Sequence, residues 1–155
     1  MTGEAVHANC LVVGAFGILI RGVPGSGKSE LTDTLIDAAG TKGNLGVLVA
    51  DDRVFLTAGN EQVIARAPDT IRGKMEIRGA GLVDAGVMPA AKVHLLVDLV
   101  PADTMERLPE SAVAQKSLEG VPVPALICPA NSPGVSLRLV RWGLRSLFPG
   151  TPDYI

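Results

Sequence analysis

Apolar residues in this chain gather into short runs, not one long periodic stripe. Leu11 to Val13, Phe16 to Arg21, Gly46 to Ala50, Val54 to Thr57, Val63 to Ala65 and Val93 to Val100 predict strands. Helical spacing is found at Lys28 to Ala39 and at Val135 to Leu147. In the second of these, Leu137, Val140, Leu144 and Leu147 recur on one face, with Arg138, Arg141 and Arg145 on others. That pattern predicts a C-terminal helix packed on a sheet. Gly14-Ala15 falls between two apolar runs as a hairpin turn, so the strand at 16–21 should pair antiparallel with its predecessor. A mixed sheet follows, in place of a purely parallel one. Pro109, Pro122, Pro124, Pro129 and Pro133 punctuate residues 101–134, which read as loops and short edge pieces around one or two strands. There is no repeat, linker or composition break, so one α/β domain over residues 1–155 is expected.

Between the strand at 16–21 and the helix from Lys28 lies Gly22-Val23-Pro24-Gly25-Ser26-Gly27-Lys28-Ser29, a full match to G-x-x-x-x-G-K-[ST]. Each residue type has a physical purpose. The glycines permit positive φ and turn backbone N–H groups onto phosphate oxygens, and the helix N-terminus adds partial positive charge. In such a loop the lysine, here Lys28, reaches the β- and γ-phosphates, and the hydroxyl of Ser29 ligates Mg²⁺. A nucleoside triphosphate site is therefore expected. The metal also needs a carboxylate, and Asp51-Asp52 follows the apolar run Gly46 to Ala50. Alone, such a pair is most simply a solvated turn. After a phosphate loop and a buried strand, alternation lets one carboxylate face a metal while the other faces an acceptor hydroxyl.

Bulk properties narrow the classes. A chain of 155 residues with 47% hydrophobic content can bury a sizeable core. A net charge of -2, a pI near 5.6 and 3% aromatic residues argue against a nucleic-acid groove or stacking platform. Cys10 and Cys128 stand apart in apolar sequence, as buried thiols of a reducing compartment do. The amino terminus lacks a basic leader, and no apolar run reaches the roughly 18 residues of a membrane span, so a cytoplasmic location without membrane attachment is expected.

Three segments in order, Gly-x-x-Gly-x-Gly-Lys-Ser-Glu at 22–30, Leu-Val-Ala-Asp-Asp at 48–52 and Met-Glu-Ile-Arg-Gly-x-Gly-Leu at 75–82, resemble the catalytic domain of the HPr kinase/phosphorylase family. The third segment discriminates, because phosphate loops alone are widespread. The resemblance covers residues 5–147. It implies a fold like phosphoenolpyruvate carboxykinase and ATP-dependent phosphorylation of a serine on the HPr phosphocarrier of the phosphotransferase system, or its nitrogen-branch counterpart. It further implies reversal by phosphorolysis and assembly into a homo-oligomer, a hexamer in this family. Carried over by position, Lys28 holds the phosphates, Asp52 is the base for the acceptor serine, and Asp51 and Glu76 lie with Ser29 at the metal. His7, fifteen residues before Gly22, takes the place of an active-site histidine, and Arg107 that of an arginine engaging the transferring phosphate. Arg78 either fixes the third segment or contacts phosphate. The hard oxygen set of Ser29, Asp51 and Glu76 suits Mg²⁺ and would accept Mn²⁺.

The chain departs from the family in two respects. It resembles a short form in which the catalytic segments begin almost at Met1, without the separate N-terminal domain of longer members. Where those carry an arginine-containing loop linked to dephosphorylation, it has Cys128-Pro129-Ala130-Asn131-Ser132-Pro133-Gly134, so the kinase direction is the expected one. Two other readings stay open at this point. One is an ATP-sensing switch or pseudoenzyme that docks a partner. The other is a small-molecule kinase, for which the stretch 101–134 offers only Arg107 where such enzymes carry arginine-rich lids.

Overall fold

The structure, a computed structural model, describes residues 5–69, 73–84 and 86–155. The chain begins with the expected hairpin: β1 (Ala8–Val13) pairs β2 (Phe16–Arg21) antiparallel from Ala8 opposite Arg21 to Val13 opposite Phe16. There follow α1 (Lys28–Thr41), β3 (Gly46–Ala50), β4 (Phe55–Gly59), β5 (Gln62–Arg66), β6 (Lys74–Ile77), β7 (Gly81–Asp84) and β8 (Ala90–Lys92). The chain continues through β9 (Leu95–Val100), β10 (Val113–Leu118), β11 (Val121–Pro129) and α2 (Pro133–Leu147).

The main sheet has the order β10-β11-β9-β2-β1-β3. Strands β2, β9 and β11 run parallel, while β1 is antiparallel to both β2 and β3, and β10 to β11. The sheet is therefore mixed, as the hairpin requires. Period-two alternation builds a core on each face. On one face Leu11, Val13, Ile18, Ile20, Leu95 and Val97 meet Leu31, Leu35 and Ala39 of α1 and Val140 and Leu144 of α2. On the other, Cys10, Val12, Leu19, Leu96 and Ala125 meet Val63 and Ala65 of a three-stranded sheet, β4-β5-β8. Each fully buried Leu or Ile contributes about 1.5–3 kcal/mol. The close crossing of the two sheets needs Gly17: a Cβ there would stand 1.9 Å from the carbonyl oxygen of Lys92. His94 seals the crossing, accepting the Gly17 N–H at Nδ1 (3.0 Å) and donating its own backbone N–H to Gly17 O (2.8 Å).

The pattern-based strands have wider or shifted bounds. β1 starts at Ala8, three residues ahead of the apolar run at Leu11, and β9 starts at Leu95 because the Val93 N–H is taken by Val63 O of β5. The prolines of residues 101–134 predict loops and short edge pieces around one or two strands; two strands are found, and one of them, β11, is the longest described, with three prolines. Pro122 and Pro124 are tolerated because β9 pairs only with Ala125 onward, so that part of β11 has β10 alone as neighbour. Strands β6, β7 and β8 are only three or four residues long, too short for alternation to announce them, even though Met75 and Ile77 alternate with Lys74 and Glu76 in β6.

Candidate active site

Strands β2, β3, β9 and β11 all end at one edge of the sheet, so the segments that follow them converge there, where open α/β sheets bind ligands. The convergence leaves an open cleft of about 270 Å³ lined by Pro24, Gly25, Gly27, Lys28, Ser29, Glu30, Asp51, Asp52, Glu76, Arg78 and Asn131. The loop of residues 22–27 turns because Gly25 and Gly27 adopt φ of 83° and 92°, a region closed to most side chains. The Ser26 N–H donates to Val23 O (3.0 Å), and the Lys28 ammonium to Gly22 O (3.1 Å), which ties the lysine to the start of the loop. From across the edge Asn131 clasps the loop with two bonds, its N–H to Ser26 O (2.9 Å) and its Nδ2 to Gly25 O (3.0 Å).

The two aspartates at the end of β3 differ sharply. Asp51 is buried and accepts three hydrogen bonds: from the Ser29 hydroxyl (2.7 Å) and Asn9 Nδ2 (2.8 Å) at Oδ1, and from the Glu76 N–H (2.8 Å) at Oδ2. Asp52 is exposed in the cleft, with a left-handed backbone at φ 65°. Ser29, Asp51 and Glu76 thus meet in one place. Among the described residues no three His, Cys, Asp or Glu side chains form a ready-made metal cage. The donors present nonetheless fit Mg²⁺, which keeps waters and takes phosphate oxygens beside one or two carboxylates.

Not every candidate lies in the cleft. His7 is exposed and does not line it, although the backbone on either side is held to this edge by Val6 N–H to Val54 O (2.8 Å) and Ala8 N–H to Asp52 O (3.2 Å). Arg107 is exposed on the segment after β9 and likewise does not line it. Arg78 does.

Comparison with known proteins decides the family. The profile of the HPr Serine kinase C-terminal domain matches residues 1–140. The chain belongs to this family. It is 31% identical over 148 residues to the HPr kinase/phosphorylase of Limosilactobacillus reuteri (strain DSM 20016), covering 88% of this chain and 44% of that protein. It is 37% identical over 130 residues to that of Acidovorax sp. (strain JS42), covering 76% and 39%. The chain therefore spans less than half the length of these curated relatives. A solved structure of the Hpr(Ser) kinase/phosphatase from Coxiella burnetii is 32% identical, with a TM-score of 0.74, covering 90% of this chain and 95% of that one. The mixed α/β architecture of this HPr serine kinase C-terminal domain is thus the family's own.

Besides Asn131, two groups at or near the cleft escaped sequence reasoning. Asn9 is fully buried at the heart of the hydrogen-bond network, one turn of alternation before Leu11 on the α1 face. A polar residue in phase with Leu11 and Val13 is the available signal, and it lies ahead of the apolar run that begins at Leu11. The second is Asp98 on β9, which binds Arg21 (2.9 Å) and Lys116 (2.7 Å) just before the phosphate loop. Burial pushes its carboxyl up, but the hydrogen bonds from Arg21 and Lys116 outweigh this and hold it below the ordinary 3.8. Both thiols are buried, and burial pushes Cys10 and Cys128 up to about 12, so neither is a nucleophile.

Proposed function

We propose that this chain is an ATP- and Mg²⁺-dependent protein kinase that phosphorylates a serine of an HPr-type phosphocarrier of the phosphotransferase system. One observation carries the reading: the carboxylate of Asp51 is locked onto Ser29 of the phosphate loop, while its neighbour Asp52 stands exposed in the same cleft. The family relationship supports the acceptor.

On this reading the loop N–H groups and Lys28 hold the ATP phosphates. Ser29, Asp51 and Glu76 would hold a divalent cation, which would supply positive charge beside the transferring phosphate. Asp52 accepts the proton of the acceptor serine as its oxygen bonds the γ-phosphorus and the bond to the bridging oxygen of ADP breaks. His7 and Arg107 complete the site from outside the cleft, Arg107 by reaching the transferring phosphate when the acceptor docks. Arg78, already in the cleft, contacts phosphate. The loop Cys128–Gly134 contributes no arginine to hold inorganic phosphate, so transfer to the carrier is the favoured direction. We read residues 1–155 as one catalytic domain that works in the cytoplasm within a homo-oligomer, a hexamer by family resemblance. No helix among the described residues is long and apolar enough to cross a membrane.

The test is incubation with γ-labelled ATP, Mg²⁺ and HPr-like carriers, with the label mapped by mass spectrometry. Acid-stable label on a carrier serine that vanishes with Lys28→Ala is the expected result. ATP binding without label on any carrier would replace the kinase by a nucleotide-sensing module.

A further inference from the structure

We infer that Asn9 is a positioning residue of this cleft, holding Asp51 and Asp52 in their separate orientations through one side-chain amide. The inference rests on the phosphoryl-transfer reading above. Asn9 is 0% exposed, in a strand whose other residues are all apolar. Its Nδ2 donates to Asp51 Oδ1 (2.8 Å) and Thr32 Oγ1 (3.0 Å), with Ser29 Oγ at 3.3 Å, and its Oδ1 accepts the Asp52 N–H (2.8 Å). The amide has no choice of orientation: a carboxylate demands the NH₂ end, and a backbone N–H demands the oxygen.

Both links bear on chemistry. Thr32 spends its own proton on Lys28 O (2.8 Å) and Ser29 spends its own on Asp51 Oδ1, so Asn9 Nδ2 adds a second donor that fixes this carboxylate oxygen beside the phosphate-loop helix. The left-handed φ of Asp52 is a conformation that costs energy in a non-glycine residue and persists only where its surroundings impose it. Here Asn9 Oδ1 takes the Asp52 N–H, while Asp52 O accepts the Ala8 N–H at 3.2 Å, so β1 grips that residue on both sides. The register shift between Cys10 and Leu11 in the β1–β3 pairing brings Asn9 level with the aspartates, in keeping with the use of bulges to re-aim side chains beside active sites.

A residue that only satisfied buried polar groups would affect folding alone. The test therefore compares wild type, Asn9→Val, Asn9→Thr and Thr32→Val, all folded at the assay temperature. Each is read for Mn²⁺ binding in the presence of ATP by electron paramagnetic resonance, for hydrogen exchange of the Asp52 amide, and for kcat and KM of carrier phosphorylation. Asn9→Val fits a β-strand and removes both links. We expect it to weaken Mn²⁺ binding about ten- to a hundredfold, to speed Asp52 exchange and to lower kcat, with KM for ATP little changed. Asn9→Thr puts a single hydroxyl, able to donate and accept, in place of the amide and recovers part of each loss. Thr32→Val removes an Asn9 partner but neither aspartate link, and leaves Mn²⁺ binding and kcat within about threefold of wild type. Wild-type Mn²⁺ binding and Asp52 exchange in Asn9→Val, or equal losses in Thr32→Val, would overturn the inference. If wild type labels no carrier, the kinase reading fails, and the Mn²⁺ and exchange measurements still decide the role of Asn9.

Discussion

The phosphate-loop side of the cleft and the segment that follows β9 are built on opposite principles. On the first side Asn9, Ser26, Lys28, Thr32 and Asp51 are all buried, Asn9 bonds Asp51, Thr32 and Ser29, and Ser29 bonds Asp51. On the second, residues 101–112 are exposed apart from Met105, with Leu108 88% exposed; a short 3-10 turn, Ala102–Thr104, is the regular element within it. On the proposed reading, the groups that meet phosphate and metal are those already fixed by packing and hydrogen bonds. Arg107, on the exposed segment, has no such shell, and on the proposed reading it takes its place when the carrier docks.

Damage to the packed side should be felt as lost stability. Leu35 is fully buried between α1 and the sheet, and Leu35→Ala should cost about 2–5 kcal/mol in urea unfolding, with little change in nucleotide affinity while the protein remains folded. A loss below 1 kcal/mol would mean that this side is no better packed than the other. Damage to the exposed side should show the reverse. Arg107→Ala is expected to lower kcat/KM for the carrier about ten- to a hundredfold, leaving urea unfolding and ATP affinity unmoved. An unchanged kcat/KM would remove Arg107 from the site.

The smallest effect tests the joint between the two regions. Asp98 on β9 ties Arg21, the last residue before the phosphate loop, to Lys116 of β10. Its carboxyl lies below 3.8 in the folded chain, so the unfolded chain binds its proton first on acidification. The stabilisation is present above about pH 4 and is lost as pH falls through the folded value. Asp98→Asn should therefore flatten the acid limb of the stability profile and leave it unchanged near neutrality in shape. A profile with the same acid slope in both proteins would show that the ion pair contributes nothing.

How much was legible in the sequence differs between the same two regions. The loop from Gly22 to Ser29, the strand before it and the helix after it are set by local chemistry, since glycine, lysine and apolar runs declare themselves within a few residues. The hairpin at Gly14-Ala15 and hence the mixed sheet were legible for the same reason. The length of β11 was not, because its prolines argue for short edge pieces until its one-sided pairing beyond β9 is known. Asn9 and Asn131 were missed because their partners lie far along the chain, at Asp51 and Gly25, and only tertiary structure joins them. His7 and Arg107 were carried over from resemblance, and neither lines the cleft.

The central claim is that Asp52, exposed beside a locked Asp51, performs proton transfer in phosphorylation of a carrier serine. Single-turnover transfer from bound ATP to an HPr-like carrier, measured for wild type and Asp52→Asn alongside ATP affinity, tests it most directly. The account predicts a fall of about 10²–10⁴-fold in the transfer rate with ATP affinity preserved. Transfer by Asp52→Asn at the wild-type rate would contradict it.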